Sequence, residues 1–188
     1  MNRRTMMAAT ASLIAKGARA APTGIFERFH DSLVQVHGEL SQAAGGIAET
    51  IVDARKDADT QAAILAFTDE LLNHHKSEDS FFFPAFRSAG RMRSSDVAWL
   101  DKKDEEHVAI HRTCVELRDA TAKRARSALA VRTWRSAVIT QIATLASLSK
   151  PHFAEEEATL TADHVKTLLS ADELASVYRD MGLHWQRR

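Results

Sequence analysis

Three short segments of this chain pair a histidine with a second metal-binding side chain four residues later. The pairs are His74 with Glu78, His107 with His111, and His152 with Glu156. Four residues are close to one turn of an α-helix, so the members of a pair share a face only if their segment is helical. Imidazole and carboxylate groups together suit iron, manganese or zinc. The pairs therefore predict three helices whose inner faces line a metal site.

The remaining sequence has the composition and the patterning of a helical protein. Only seven glycines and three prolines occur among its 188 residues, and residues that favour helices are plentiful. Apolar residues recur at three- and four-residue intervals, which is the pattern of a helix with one buried face. We predict four long helices, over Ile25–Ile51, from about Asp59 to Ser88, from just after the capping residues Ser94–Asp96 to about Ser127, and from about Val131 to Leu148 and beyond.

Two prolines and one capping sequence refine this prediction. Pro84 cannot continue the helical hydrogen-bond ladder unbroken, and at Pro151 we expect either a kink or a new helix with the proline in its first turn. The sequence from Ser170 to Glu173 has the form of a capping box, which predicts a short fifth helix over about Ala171–Tyr178. No segment shows convincing strand alternation, so the fold class is all-α and the helices favour a bundle.

Charge and hydrophobicity limit the classes of function. The formal net charge is zero, which argues against a nucleic-acid-binding protein, and no apolar run is long enough to span a membrane. Residues 1–21 stand apart, because the pair Arg3-Arg4 precedes a short apolar stretch and Ala18–Ala20 has the form of a cleavage site. Two interpretations stay open: a twin-arginine-like signal for export to the periplasm, or a disordered basic N-terminus of a cytoplasmic protein. A single domain is expected over residues 22–188.

The histidines have an ordinary explanation and a functional one. A single histidine on an apolar helical face usually packs in the core with one ring nitrogen hydrogen-bonded. Three separate pairs are harder to explain in this way, because each buried imidazole or carboxylate without a partner costs several kcal/mol. A metal site satisfies all of these groups together, and the combined pattern therefore favours metal binding.

Four motifs in order resemble those of the hemerythrin-like family, also called the HHE cation-binding domain. They are Phe29–Leu33, His74–Phe86, Asp104–His107 and His152–Glu157. The order and the approximate separations agree from about residue 25 to residue 165. Each motif alone is weak, whereas four in the same order are specific.

The resemblance implies an up-down-up-down four-helix bundle around a non-haem di-iron centre, here with the short fifth helix at the C-terminal end. It implies that Glu78 and Glu156 bridge two iron ions and that histidines complete the coordination. The ligand set implied in this way is His30, His74, Glu78, His107, His111, His152 and Glu156. The same ligands would accept zinc or manganese, since affinity alone does not select iron.

Some positions of this set have alternatives. His30 and His37 lie about 10.5 Å apart along a helix axis, so both cannot serve one metal level. His30 fits the family's local pattern better, and His37 is the alternative. Glu157 is the alternative to Glu156. His75 follows His74 and should point about 100° away, at the rim of the site or in solvent.

By resemblance, the leading function is binding of dioxygen or a related small oxidant, as a carrier, a store or a sensor. Such a protein need not be an enzyme. A redox enzyme that handles peroxide or nitric oxide on the same site, a mononuclear metal-binding bundle, a ferritin-like di-iron protein and a metal-free interaction module are the alternatives. The sequence does not fix the oligomeric state.

Overall fold

The structure is a computed structural model that describes residues 24–51, 57–122 and 128–186. Every regular element in these ranges is helical, which confirms the predicted all-α class. None of these helices combines the length and the hydrophobicity that a membrane crossing requires. The signal peptide or disordered N-terminus predicted over residues 1–21 lies outside the described residues.

The helices follow the predicted pattern at most places and depart from it at two. The elements are α1 (Ile25–Thr50), α2 (Asp57–Ser77), a π-helical segment (Glu78–Phe82), α3 (Phe83–Ser88), α4 (Ser94–Ala122), α5 (Ala128–Thr159), α6 (Ala162–Leu168) and α7 (Ala171–Gln186). Helix α6 was not predicted, and α7 continues beyond Tyr178. The predicted end of the third long helix near Ser127 lies outside the described residues.

Pro84 produces a change of helix type instead of a break. A proline lacks the N–H group for the helical ladder, and its ring clashes with the carbonyl group four residues earlier. The wider π segment precedes it, and the backbone N–H of Phe83 donates to the carbonyl of Glu78 five residues back. The chain therefore stays helical from Asp57 to Ser88, and Glu78 remains one turn after His74. Pro151, in contrast, lies inside the single long helix α5.

The capping box at Ser170 is present and starts α7. The backbone N–H and the hydroxyl group of Ser170 donate to Glu173 Oε2 over 2.6 and 2.7 Å, and the Glu173 N–H donates back to the hydroxyl over 3.3 Å. These bonds satisfy N–H groups that have no partner within the helix.

Contacts divide the described residues into two compact units. The first comprises residues 24–33, 76–101 and 157–186, and its apolar core includes Phe29, Phe82, Phe83, Phe86, Leu160 and Leu174. The second comprises residues 34–51, 57–75, 102–122 and 128–156, with Leu40, Ile64, Leu71, Ile110, Val138 and Leu145 in its core. Helices α1, α2, α4 and α5 all contribute to the second core, and the four buried histidines of the described residues lie in this unit.

Candidate metal centre

Polar side chains from four helices meet inside the apolar core of the second unit. They are His37 of α1, His74 and His75 of α2, His107 of α4, and His152 and Glu156 of α5. All are buried except His74, which is partly buried. Burial of this many polar groups in one place is costly unless they have partners, so the cluster requires a physical explanation.

The first group of ligands combines three imidazole rings. The Nε2 atoms of His107 and His152 are 3.2 Å apart. The ring of His75 stacks on that of His107, with centroids 4.1 Å apart and planes 12° from parallel. One ligand atom from each of His75, His107, His152 and Glu78 lies within 4.8 Å of the others. We call these four residues the His75 group.

The second group has equal numbers of imidazoles and carboxylates. The Nε2 atoms of His37 and His74 are 3.0 Å apart, and His37 Nε2 lies 3.4 Å from Glu156 Oε2. The His37 ring stacks on Phe153, with centroids 4.1 Å apart. One ligand atom from each of His37, His74, Glu156 and Glu78 again lies within 4.8 Å of the others. We call these residues the His37 group.

Glu78 belongs to both groups. It is three residues after His75 and four after His74 on a chain that remains helical, so local helix geometry directs it to the same region as both histidines. Its side chain is buried. A carboxylate has two oxygens and can therefore face two ions at once.

The geometry within each group fits a bound cation. Two neighbouring ligands with metal–nitrogen bonds of about 2.1 Å at right angles are about 3.0 Å apart. The Nε2–Nε2 distances of 3.0 and 3.2 Å match that spacing. Imidazole nitrogens this close in the absence of a cation would share at most one hydrogen between them.

Two residues also lack hydrogen bonds that burial would normally demand. Neither ring nitrogen of His75 and neither carboxylate oxygen of Glu156 has a hydrogen-bond partner among the described residues. Glu156 Oε1 lies 3.3 Å from His152 Nε2, but the contact does not have hydrogen-bond geometry. Buried polar groups in native proteins are almost always satisfied, so these atoms fit a site whose partner is a metal ion.

Burial keeps several of these imidazoles in the neutral form that a metal requires. Desolvation, reinforced by neighbouring histidines, lowers the pKa of His74 and of His75 well below the usual value of 6.5. Desolvation also lowers the pKa of His152, although Glu156 and Glu106 oppose the change. Neutral imidazole nitrogens carry the lone pair that binds a metal ion, so the electrostatics favour coordination.

A network of charged side chains contacts the Nδ1 side of the His152 ring. Its Nδ1 is 2.7 Å from Glu106 Oε2, and the same oxygen accepts a hydrogen bond from Lys103 Nζ, also over 2.7 Å. Burial alone would raise the pKa of Glu106, but the hydrogen bonds from Lys103 and His152 outweigh it and lower the pKa to about 2. An ionised carboxylate at Nδ1 leaves Nε2 as the ligand atom of this histidine.

Three of the predicted candidates do not join either group. His30 is partly buried, and its Nδ1 lies 3.2 Å from the carbonyl oxygen of Leu160. The geometry therefore favours His37, the alternative, on the first helix. His111 stacks near His75 at 5.3 Å between centroids but contributes no atom to a group, and neither does Glu157.

The expectation for His75 was wrong. Its side chain is fully buried and belongs to the His75 group, not to the rim of the site. The rotation of 100° per residue turns His75 away from His74, but one helix can direct adjacent residues into two neighbouring groups of ligands. The consecutive histidines were the only sequence signal for this arrangement. Glu106 and Lys103 gave no such signal, because they resemble other charged residues on a helix surface.

Comparison with known proteins bears on the same residues. No curated protein and no solved structure gives a significant match to the chain. The sequence model described as the hemerythrin HHE cation-binding domain matches residues 21–162, a range that includes every residue of both groups. The match covers most of the chain, and a buried cluster of histidines and glutamates that could hold metal lies within it. The chain belongs to the hemerythrin HHE cation-binding domain family.

Proposed function

We propose that this chain is a non-haem di-iron protein that binds dioxygen or a related small oxidant, as a carrier, a store or a sensor. The observation that supports the proposal is the pair of ligand groups that share Glu78. Two overlapping groups of four ligands fit two cations better than one. We also propose that the long helices form an up-down-up-down four-helix bundle and that α7 is an added helix.

Each ion would be held by one group. His75, His107 and His152 would hold one ion, and His37, His74 and Glu156 the other. Glu78 would contact both, and its negative charge would offset the repulsion between the two cations. Iron suits this mixture of imidazole and carboxylate, while zinc and manganese remain chemically compatible.

A di-iron centre would supply reversible binding of a small oxidant. The side chains around it would control which molecules, including water, reach the centre. Burial of five of the six ligand residues in the second unit restricts the centre to small molecules. The stacked ring of Phe153 covers His37 with an apolar surface, which excludes water from that side.

The first test is metal analysis of protein expressed in iron-replete medium. We expect close to two irons per chain and, in the oxidised state, a Mössbauer spectrum of a coupled ferric pair with a diamagnetic ground state. No iron, or a single zinc, would contradict the di-iron proposal and leave a cation-binding helical protein. Repeated consumption of the oxidant, in place of release of an intact molecule, would favour the redox-enzyme alternative.

Two variants connect the metal to named residues. His74→Ala and Glu156→Ala should lower iron content and melting temperature together, because metal binding stabilises the folded state. His164→Ala is the control, since this partly buried histidine lies near Asp96 and in neither ligand group. Full iron content in His74→Ala or in Glu156→Ala would exclude that residue from the ligands.

A further inference from the structure

The side chain of Lys103 is completely buried, which is unusual for a lysine. Its Nζ donates to Glu106 Oε2 over 2.7 Å, to Glu155 Oε2 over 2.9 Å and to the backbone carbonyl of His152 over 3.3 Å. Burying an ammonium group is costly, and only good geometry with several acceptors compensates for it. These bonds connect helix α4 to α5 at His152, which is a member of the His75 group.

Glu106 is the link between this lysine and the histidine. Its Oε2 accepts hydrogen bonds from Lys103 Nζ and from His152 Nδ1, both over 2.7 Å. A carboxylate can only accept, so the hydrogen of the neutral His152 ring must be on Nδ1. The lone pair of Nε2 is then free for the His75 group, where His107 Nε2 lies 3.2 Å away. The orientation of the carboxylate thus decides which nitrogen of His152 can bind a metal.

The side chain of Glu106 is not fixed by burial, since 29% of it is exposed. A partly exposed glutamate has several rotamers open to it, and only some of them reach His152 Nδ1. Lys103 removes that freedom, because it holds Glu106 and the His152 backbone together from a buried position.

We infer that Lys103 is a positioning residue for the metal centre: it pins Glu106 so that the carboxylate holds His152 in the Nδ1–H form. The inference rests on the proposed metal site and adds to it a residue outside the ligand groups. Lys103 acts on the His152 ring through Glu106, so removal of either residue should weaken binding of the same ion.

Lys102 provides a matched control in the adjacent position. Its side chain is 53% exposed, and its Nζ bonds to Glu155 Oε2 over 2.6 Å and lies 3.6 Å from Glu106 Oε1. It shares both acidic neighbours with Lys103 but has no contact with the His152 carbonyl among its described bonds. Removing Lys102 changes the net charge as much as removing Lys103 does.

The test measures Co²⁺ affinity of the full-length, metal-free protein by competition with a chromophoric chelator. Glu106→Gln should weaken binding about 10- to 100-fold, the usual effect of losing a carboxylate behind a ligating histidine. Lys103→Met should weaken it by a smaller factor, and Lys102→Met should leave it within about twofold. The double variant Glu106→Gln/Lys103→Met should be no weaker than Glu106→Gln alone, because the two residues act in series.

Ring nitrogen shifts of ¹⁵N-histidine in the Zn²⁺-loaded protein provide a readout that a purely structural lysine would not change. Wild type should show His152 protonated at Nδ1, and Lys103→Met should show a mixture of ring forms or a shifted Nδ1–H signal.

Unchanged Co²⁺ affinity and unchanged shifts in both single variants would overturn the inference while leaving the metal site intact. Failure of the wild type to bind Co²⁺ would overturn the metal site itself. If Lys103→Met does not fold, Glu106→Gln decides, because its side chain is partly exposed.

Discussion

The His75 group and the His37 group share Glu78 but differ in charge and surroundings. The His75 group has three imidazole rings and one carboxylate, whereas the His37 group has two rings and two carboxylates. In the first group a charged network contacts His152 Nδ1, and in the second the apolar ring of Phe153 stacks on His37. Carboxylates stabilise high positive charge better than imidazoles do. We therefore expect two unequal metal positions in this protein.

The largest effect should come from the residue that the two groups share. Glu78→Gln keeps the size of the side chain but leaves only one oxygen for two ions. We expect iron content to fall below one per chain, with a lower melting temperature. Asp79→Asn, at the exposed neighbouring position, should retain the wild-type iron content. Two irons per chain in Glu78→Gln would show that this glutamate does not bridge.

The next variants separate the two histidines of the first helix. His37→Ala removes a ligand from the His37 group, so we expect about one iron per chain to be lost. His30→Ala should keep both irons, because His30 contacts the Leu160 carbonyl instead. Metal analysis of the two proteins, purified in parallel, decides the question. The reverse pattern would restore the assignment that the family motif suggested.

A smaller effect should distinguish the two rings beside His107. His75→Ala should weaken Co²⁺ binding at least about 10-fold, since loss of a ligand costs no less than loss of an outer partner. His111→Ala should have a smaller effect, because that ring stacks near His75 without joining the group. Chelator competition measures both. Equal or larger loss in His111→Ala would mean that the family's third-helix pattern applies here and that His75 is structural.

The sequence predicted the helices well because their signals are local. Apolar spacing placed α1, the capping residues Ser94–Asp96 marked the start of α4, and the capping box placed the start of α7. Pro84 indicated an interruption of the helical hydrogen bonds, but the form of that interruption depends on the residues packed around it. A proline removes one backbone donor, and whether the chain breaks, kinks or widens into a π turn is decided by packing around it.

The ligands were harder to predict. Spacing along a helix shows which residues share a face, but it does not show at which height along the helix axis the metal site lies. His30 and His37 share a face, and only the packing of α1 against other helices decides which of them reaches the metal. His75 was placed at the rim because it points about 100° away from His74. The structure has two groups of ligands, and each of them includes one of these two adjacent histidines. Lys103 could not be recognised at all, because burial of its side chain is a property of the folded protein.

The smallest effect concerns the stability of the metal-free protein as pH changes. Burial lowers the pKa of His74, His75 and His152 below the usual 6.5 of the unfolded chain. Below about pH 6.5 the unfolded chain binds more protons than the folded protein, so stability falls as the pH decreases. Chelator-treated protein should therefore melt at a lower temperature at pH 5.5 than at pH 7.5.

The control for this effect is the double variant His74→Ala/His75→Ala. It lacks the two histidines whose pKa values are lowered most clearly, one from each ligand group, so its melting temperature should depend less on pH over the same window. Melting curves by circular dichroism at four pH values would measure both proteins. A wild-type curve no steeper than that of the double variant would mean that these imidazoles accept protons in the folded state. The two ligand groups would then be more open to water than their burial indicates.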